Sequence, residues 1–110
     1  MAGDRMRRVN ELVRHHVAEI IAREIELPLD VFVTITHVET APDLKTAAVY
    51  LTVLPDHKRV STIKMIESRR GVIRKCLSKR MKTKFIPHLN FLFDEREIKA
   101  QRIFDVMDSI

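Results

Sequence analysis

The spacing of apolar residues predicts a long helix at the start of the chain. Through residues 5–24, apolar side chains recur every three or four positions, which places them on one stripe of an α-helix. Asp4 stands in position to cap the N-terminus of this helix, and Pro28 prevents its continuation. The stripe that we expect to pack against a core consists of Val9, Leu12, Val13, Val17 and Ile20.

A different period follows, and it predicts two strands. Residues 31–38 and 47–54 are rich in β-branched side chains, and the first of these segments shows the clearer inside–outside alternation. A Pro-Asp pair at positions 42–43 favours a tight turn between the two segments. We therefore predict an antiparallel hairpin.

The pattern then returns to a helical period, which Gly71 interrupts. The helix that leads to this glycine is expected to begin near Asp56 or Ser61, either of which is suited to cap it. Beyond the glycine, apolar residues occupy about half of the helical wheel and basic residues occupy the other half. The apolar half comprises Val72, Ile73, Cys76, Leu77 and Met81, and the basic half comprises Arg74, Lys75, Lys79 and Lys82.

A third strand over residues 89–94 and a last helix over residues 95–108 complete the pattern. A three-stranded sheet needs helices on one face to bury its apolar side. We therefore predict an α+β fold, built as a single domain over residues 1–110, in which helices cover one face of the sheet and solvent covers the other.

Positive charge is concentrated in one part of the chain. Residues 58–84 carry eleven lysines and arginines but one acid, Glu67, so the remainder of a chain with net charge +5 is acidic. A solvated helix face usually mixes signs, whereas a segregated basic face is typical of proteins that bind a polyanion. Arg80 is unusual among these bases, because it falls in the apolar half of its helix and must extend to solvent or fray the helix end.

The residue patterns of common active sites are missing from this sequence. It contains no H-E-x-x-H, G-x-S-x-G or C-x-x-C motif, and two glycines cannot build a glycine-rich nucleotide loop. His15 lies one helical turn from Glu11 and from Glu19, but a solvated face is favoured there over a metal site. His16 and Cys76 fall on apolar stripes and are expected to pack. We predict a protein that is not an enzyme and uses no metal, cofactor or small-molecule substrate.

The cysteine content and the absence of long apolar runs indicate where the protein is located. One cysteine cannot form an internal disulfide, and no apolar run is long enough for a signal peptide or a membrane span. We therefore expect a cytoplasmic protein without a membrane partner. We also expect it to be a monomer.

The aromatic residues of the predicted strands are expected to pack in the core rather than to stack on bases; they are Phe32, Tyr50, Phe91 and Phe93.

Three segments, in this order and spacing, resemble the ribosome-binding factor A family of bacterial small-subunit maturation factors. They are RMRRVNELVRHHVAEIIAREI, VTITHVETAPDLKTAAVYLTVLP and GVIRKCLSKRMKTKFIPHLNFLFDE, and together they span nearly the full length. The resemblance implies a type II KH-like fold in which an alanine-x-glycine kink replaces the G-x-x-G loop of RNA-clamping KH domains. Gly71 matches the kink glycine, within a helix-kink-helix over residues 61–84, so valine at this position is expected to destabilise the fold. Arg69 stands where the family has alanine.

Taken with the basic segment, the resemblance implies a role in ribosome assembly. We expect a non-enzymatic factor that binds the free small ribosomal subunit and its rRNA, assists late maturation and 5′-end processing, and matters most for growth in the cold. A general KH-like module for other RNA or DNA, and a protein whose basic face meets an acidic partner, are the alternatives. The residues expected to contact RNA are Arg69, Arg70, Gly71, Arg74, Lys75, Lys79, Arg80, Lys82 and Lys84.

Overall fold

The order of elements is helix, strand, strand, helix, helix, strand, with a short 3₁₀ helix between the second strand and the second long helix. This order comes from a computed structural model, which describes residues 2–82 and 86–96. The helix predicted over residues 95–108 lies, apart from its first two residues, outside that part of the chain. The long elements are α1 (Ala2–Glu24), β1 (Phe32–Thr40), β2 (Thr46–Leu54), α2 (Arg59–Ser68), α3 (Arg70–Arg80) and β3 (His88–Phe93).

The three strands form one sheet in the order β1-β2-β3, so β2 is central. β1 and β2 pair antiparallel, which confirms the predicted hairpin, and β3 runs parallel to β2. Parallel neighbours need a crossover connection, and α2 and α3 provide it. These helices and α1 pack on the same face of the sheet and enclose one apolar core.

A β-bulge at Thr36 changes which side chains of β1 face the core. The pairing with β2 shifts between Ile35 and His37, so Thr36 is an extra residue on its strand. Its hydroxyl donates a hydrogen bond of 2.6 Å to the carboxylate of Asp94, beyond the end of β3. Because of the extra residue, Ile35 and Val38 are both buried although they are three positions apart.

The turn between β1 and β2 is fixed by its own hydrogen bonds. The Leu44 N–H donates to the Ala41 carbonyl over 2.8 Å, and the Lys45 N–H donates to Oδ1 of Asp43 over 3.0 Å. Leu44 has a φ of 62°, in the left-handed region that is uncommon for residues with a side chain. The Lys45 carbonyl accepts a bond of 2.9 Å from the His88 N–H, which ties the turn to the start of β3.

α1 packs its apolar stripe on β1 and α3, as its spacing predicts. Val13, Val17 and Ile20 are almost completely buried. Leu12 is 46% exposed, because it lies at the edge of the stripe and the buried part is narrower than expected. The helix also begins two residues before Asp4, so this side chain lies in the first turn and not at the cap position.

A break at Arg69, with φ −103° and ψ 13°, separates α2 from α3. α2 packs on β2 and β3, whereas α3 packs mainly on α1, so the two helices follow different partners. The predicted interruption is confirmed, but it lies two residues before Gly71, which belongs to the first turn of α3. Gly71 does not have a positive φ, and a Cβ there would meet no atom within 4 Å. The break therefore does not require glycine, and the expected cost of valine at this position loses its basis.

The start of α2 also differs from the prediction. No side chain caps it, since Asp56 opens the 3₁₀ helix and the hydroxyl of Ser61 donates to the Lys58 carbonyl over 3.1 Å. Burial by the sheet stabilises this helix instead, because Ile66 is fully buried. Most helical stability in proteins comes from such packing of an apolar face.

Candidate nucleic-acid interface

The packing of α3 determines which of its side chains face solvent. Ile73 and Leu77, one turn apart, have no exposed surface and fix one side of the helix on the core. At 3.6 residues per turn, Lys75 and Lys79 then lie on the opposite side, and both are exposed. The helix is thereby a rigid support for a row of positive charge.

The exposed cations around α3 carry no internal counter-charge. Within residues 2–82 and 86–96, the predicted contact residues that are exposed and take part in no ion pair are Arg69, Arg70, Lys75, Lys79 and Lys82. Lys64 on α2 is also exposed and unpaired in this part of the chain, although the sequence pattern does not single it out. Lys84, another predicted RNA contact, lies outside the described residues. The charges of the exposed side chains are therefore available to a polyanion.

The N-terminus of α3 adds a further positive contribution. No side chain caps it and its first turn contains no acid. The backbone N–H groups at the start of a helix lack intrahelical partners, and the helix dipole places partial positive charge there. Because Arg69 and Arg70 lie at the same end, this end of α3 is suited to an anion such as a phosphate group.

Arg74 differs from its basic neighbours, because it is half-buried. Its Nη2 donates a hydrogen bond of 3.0 Å to the carbonyl of Ile86, just before β3. Its Nε is buried and has no hydrogen-bond partner in the described part of the protein. Arg74 thus holds the start of β3 to α3 and keeps an unused donor at the seam between them.

Two clefts meet at Arg74. The first, about 360 Å³, is lined by Gly71, Arg74, Lys75, Ser78 and Ile86. The second, about 310 Å³, is lined by Asp43, Leu44, Lys45, Arg74, Ile86 and His88. The contribution of the β1–β2 turn to this surface has no signal in the sequence, since about thirty residues separate Leu44 from Arg74 and only the β2–β3 pairing brings them together.

Arg80 does not belong to the free basic face. Its guanidinium donates a hydrogen bond to the carboxylate of Glu19 on α1, and the two form an ion pair. This hydrogen bond from Arg80 is the main reason that the pKa of Glu19 is lowered. Arg80 therefore neither extends freely to solvent nor frays the helix, and because its charge is balanced within the protein, its predicted contact with RNA lacks support.

The histidines of α1 form local contacts. Nε2 of His15 lies 3.2 Å from Oε1 of Glu19, and Glu11 pairs with Arg14 at 2.9 Å. His16 is half-buried, as its place in the apolar stripe predicts. In the residues that the structure describes, no group of three histidine, cysteine or acidic side chains is placed to hold a metal ion. No helix in the same residues is long and apolar enough to span a membrane.

The aromatic residues divide between the two faces of the sheet. Phe91 is buried and Phe93 is half-buried, in agreement with the predicted core role. Phe32 is 67% exposed, so its predicted place in the core is wrong. Val31 and Val33, on either side of it, pack against the core, and successive side chains of an extended chain point to opposite faces, so Phe32 faces outward. Tyr50 is half-buried against His37 on the open face, with ring centroids 5.6 Å apart, so its predicted place in the core is also wrong.

Comparisons of sequence and of structure with known proteins all match ribosome-binding factor A. The family model for ribosome-binding factor A matches residues 5–107. The ribosome-binding factor A of Thermodesulfovibrio yellowstonii is 36% identical over 106 residues, covering 96% of this chain and 90% of that protein. The crystal structure of ribosome-binding factor A from Thermus thermophilus matches with a TM-score of 0.70 and 17% identity, covering 79% of this chain and 93% of that one.

A third match concerns a complex. A homology model of the Thermus thermophilus factor, fitted into the cryo-EM map of its complex with the 30S subunit, matches with a TM-score of 0.63 at 17% identity. It covers 77% of this chain and 90% of that one. The structural matches confirm the predicted α+β fold, and the order of elements described above is consistent with a type II KH-like domain.

Proposed function

Because the chain belongs to the ribosome-binding factor A family, we propose that it binds the free small ribosomal subunit by placing α3 against the rRNA. The observation that carries this proposal is the row of exposed cations on α3, whose opposite side is locked into the core. The complex of the Thermus thermophilus factor with the 30S subunit supports the same partner for this chain.

Binding by this surface depends chiefly on phosphate groups. Lysine and arginine side chains that neutralise phosphates release condensed counterions, and this release drives association. Lys75 and Lys79 lie one helical turn apart, so both reach the same stretch of backbone. At the N-terminus of α3, the N–H end of the helix together with Arg69 and Arg70 provides a second position for a phosphate. Contacts of this kind orient the protein on RNA and carry little sequence information.

The proposed role of the protein is binding without catalysis. The protein does not cleave RNA: it occupies the immature subunit and assists late maturation and processing of the 5′ end of the small-subunit rRNA. It does so as a cytoplasmic monomer, without a cofactor or a small-molecule substrate, and its loss is felt most during growth in the cold.

The test is a double charge reversal on α3. Lys75→Glu with Lys79→Glu is expected to weaken association with purified small subunits and to leave the melting temperature close to that of the wild type, because both side chains are exposed and form no ion pair with the described residues. The slope of log affinity against log salt concentration should become shallower by about 2, since about one unit is lost for each phosphate contact. Co-sedimentation across a salt series measures the affinity and the salt slope, and a thermal melt measures the melting temperature.

The matched control is Arg7→Glu with Arg8→Glu, which makes the same change in net charge at two exposed positions of α1. If both double variants lose affinity equally, the effect reflects total charge and the assignment to α3 is wrong. Preferential sedimentation of the wild-type protein with other RNA, and not with small subunits, would favour a general KH-like RNA-binding module.

A further inference from the structure

We propose that the cleft between the β1–β2 turn and α3 holds one unpaired nucleobase of the rRNA, with a neighbouring phosphate on Arg74 and Lys45. This inference rests on the proposed function, because it names a subsite for the same RNA. The phosphate contacts of α3 do not depend on base pairing. The cleft would add a position at which the protein distinguishes an extruded base from a paired one.

The cleft has the size and lining that such a ligand needs. Its volume is about 310 Å³. Leu44 and Ile86 contribute apolar surface, and charged or polar side chains surround them at Lys45, Arg74 and His88. Small-molecule sites typically combine an apolar lining with a few polar groups that fix orientation. A planar base presents two apolar faces and a polar edge, which matches this arrangement.

Burial in the core does not explain the backbone conformation of Leu44. Its φ of 62° is disfavoured for a branched aliphatic residue, and glycine or asparagine adopts it more readily. Its side chain remains 37% exposed, so burial of the side chain offsets little of the free-energy cost of this backbone conformation. Backbone conformations of this kind tend to persist at binding sites, where the surrounding structure holds them in place. Here two hydrogen bonds of the turn and one to β3 hold it.

Arg74 provides the polar side of the subsite. An arginine has five N–H donors, and one of those of Arg74 is used by the carbonyl of Ile86. Its Nε is buried and closed to a ligand, so the guanidinium would meet a phosphate through the Nη N–H groups that no described residue uses. Arg74 also lines the neighbouring cleft with Gly71 and Lys75, so a strand that enters here continues onto the basic face of α3.

The charges around the cleft favour RNA over a protein segment. Lys45 and Arg74 line it, and Lys75 lines the neighbouring cleft. The carboxylate in its lining, Asp43, already accepts a hydrogen bond from the backbone of Lys45. Recognition of RNA through its bases generally uses unpaired nucleotides whose bases are turned out of the stack. An apolar recess beside two cations, Lys45 and Arg74, provides for such a base and for its phosphate.

The variant that tests the subsite is Leu44→Asn. Asparagine tolerates the left-handed conformation, so the turn and the fold should be retained, while the apolar wall is replaced by an amide. We expect affinity for free small subunits to fall by about fivefold or more, the loss that follows when the apolar contact of one or two methylene groups is removed. The salt dependence should not change, because no phosphate contact is removed. Leu54→Asn, at a 63% exposed leucine at the end of β2, is the control and should bind like the wild type.

The outcomes separate this subsite from the proposed function. If Leu44→Asn binds within twofold of the wild type while the Lys75 and Lys79 double reversal binds weakly, the subsite is wrong and the proposed function stands. If neither variant loses affinity, both fail. Ultraviolet cross-linking of the wild-type complex should attach a nucleotide to the peptide that contains Leu44, and attachment of that peptide to a ribosomal protein alone would overturn the assignment to RNA.

Discussion

Arg80 of α3 and Glu19 of α1 form an ion pair that joins the first helix to the last one before β3. The side chain of Arg80 is 24% exposed and lies at the edge of the apolar side of α3, where an uncompensated cation would be unfavourable. The carboxylate from α1 compensates it. This contact fixes the C-terminal half of α3 on the domain, while the free cations of the same helix remain directed outward.

The pair should therefore affect stability and not binding. We expect Glu19→Gln to lower the melting temperature at pH 7 and to leave small-subunit affinity no weaker than that of the wild type, because a positive charge is set free. The pKa of Glu19 is lowered in the folded protein, so its stabilising effect is present above the ordinary value of 4.5 and is lost as the pH falls below it. Thermal melts at pH 7 and pH 3 should converge for variant and wild type; a constant difference would contradict this.

Gly71 gives a prediction with opposite effects on stability and binding. Since a methyl group there would meet no atom and φ is not positive, Gly71→Ala should raise the free energy of unfolding by about 0.5–1 kcal/mol through its better helix propensity. The same methyl group would stand at the first turn of α3, where we place a phosphate, so affinity for small subunits should fall.

Urea unfolding and co-sedimentation measure the two effects of Gly71→Ala separately. A variant that is more stable and binds equally well would place the phosphate elsewhere. Gly3→Ala is the control, because it makes the same change at an exposed position of α1 where a Cβ would also meet nothing.

Arg69 stands at the break between α2 and α3, and its backbone conformation is accessible to other residues. Its side chain is exposed and forms no ion pair with the described residues. We therefore expect Arg69→Ala to preserve the melting temperature and to make the salt dependence of subunit binding shallower by about 1, the loss of one phosphate contact. A large drop in melting temperature would mean instead that the side chain supports the break.

Asp94 is a buried carboxylate on which the end of the sheet depends. Its side chain accepts hydrogen bonds from Thr36 at 2.6 Å and from the guanidinium of Arg96 at 2.8 and 3.0 Å. The bonds from Arg96, and then the one from Thr36, hold the pKa of Asp94 well below its ordinary value of 3.8. Because the pKa is lowered on folding, the stability it contributes is present above that value and is lost at lower pH.

We expect Asp94→Asn to reduce the free energy of unfolding by about 1–3 kcal/mol at pH 7, the cost of disrupting a buried hydrogen-bonded group. The difference from the wild type should shrink when urea unfolding is repeated at pH 3. Asp56→Asn, at an exposed position where the ion pair with Arg59 spans 3.9 Å, is the control and should unfold like the wild type at both pH values.

Local patterns in the sequence determine the elements of this protein and the polarity of α3. The period of three to four residues defines α1 and α3, and the β-branched segments define the hairpin, because each of these depends on neighbours within a few positions. The alternation of Ile73 and Leu77 with Lys75 and Lys79 likewise determines which side of α3 is basic. The grouping of eleven bases within residues 58–84 is likewise visible in the sequence, and it is the pattern from which we predict a polyanionic partner.

Only the tertiary structure decides which of those bases are free and how far the proposed RNA surface extends. Arg80 is neutralised by Glu19 from a helix sixty-one residues away, and Arg74 is joined by the β1–β2 turn, because packing of α1 on α3 and pairing of β2 with β3 bring distant segments together. The bulge at Thr36 and the position of the break at Arg69 are decided in the same way. These features depend on which distant segments pack against each other, and a local pattern of residues does not contain that information.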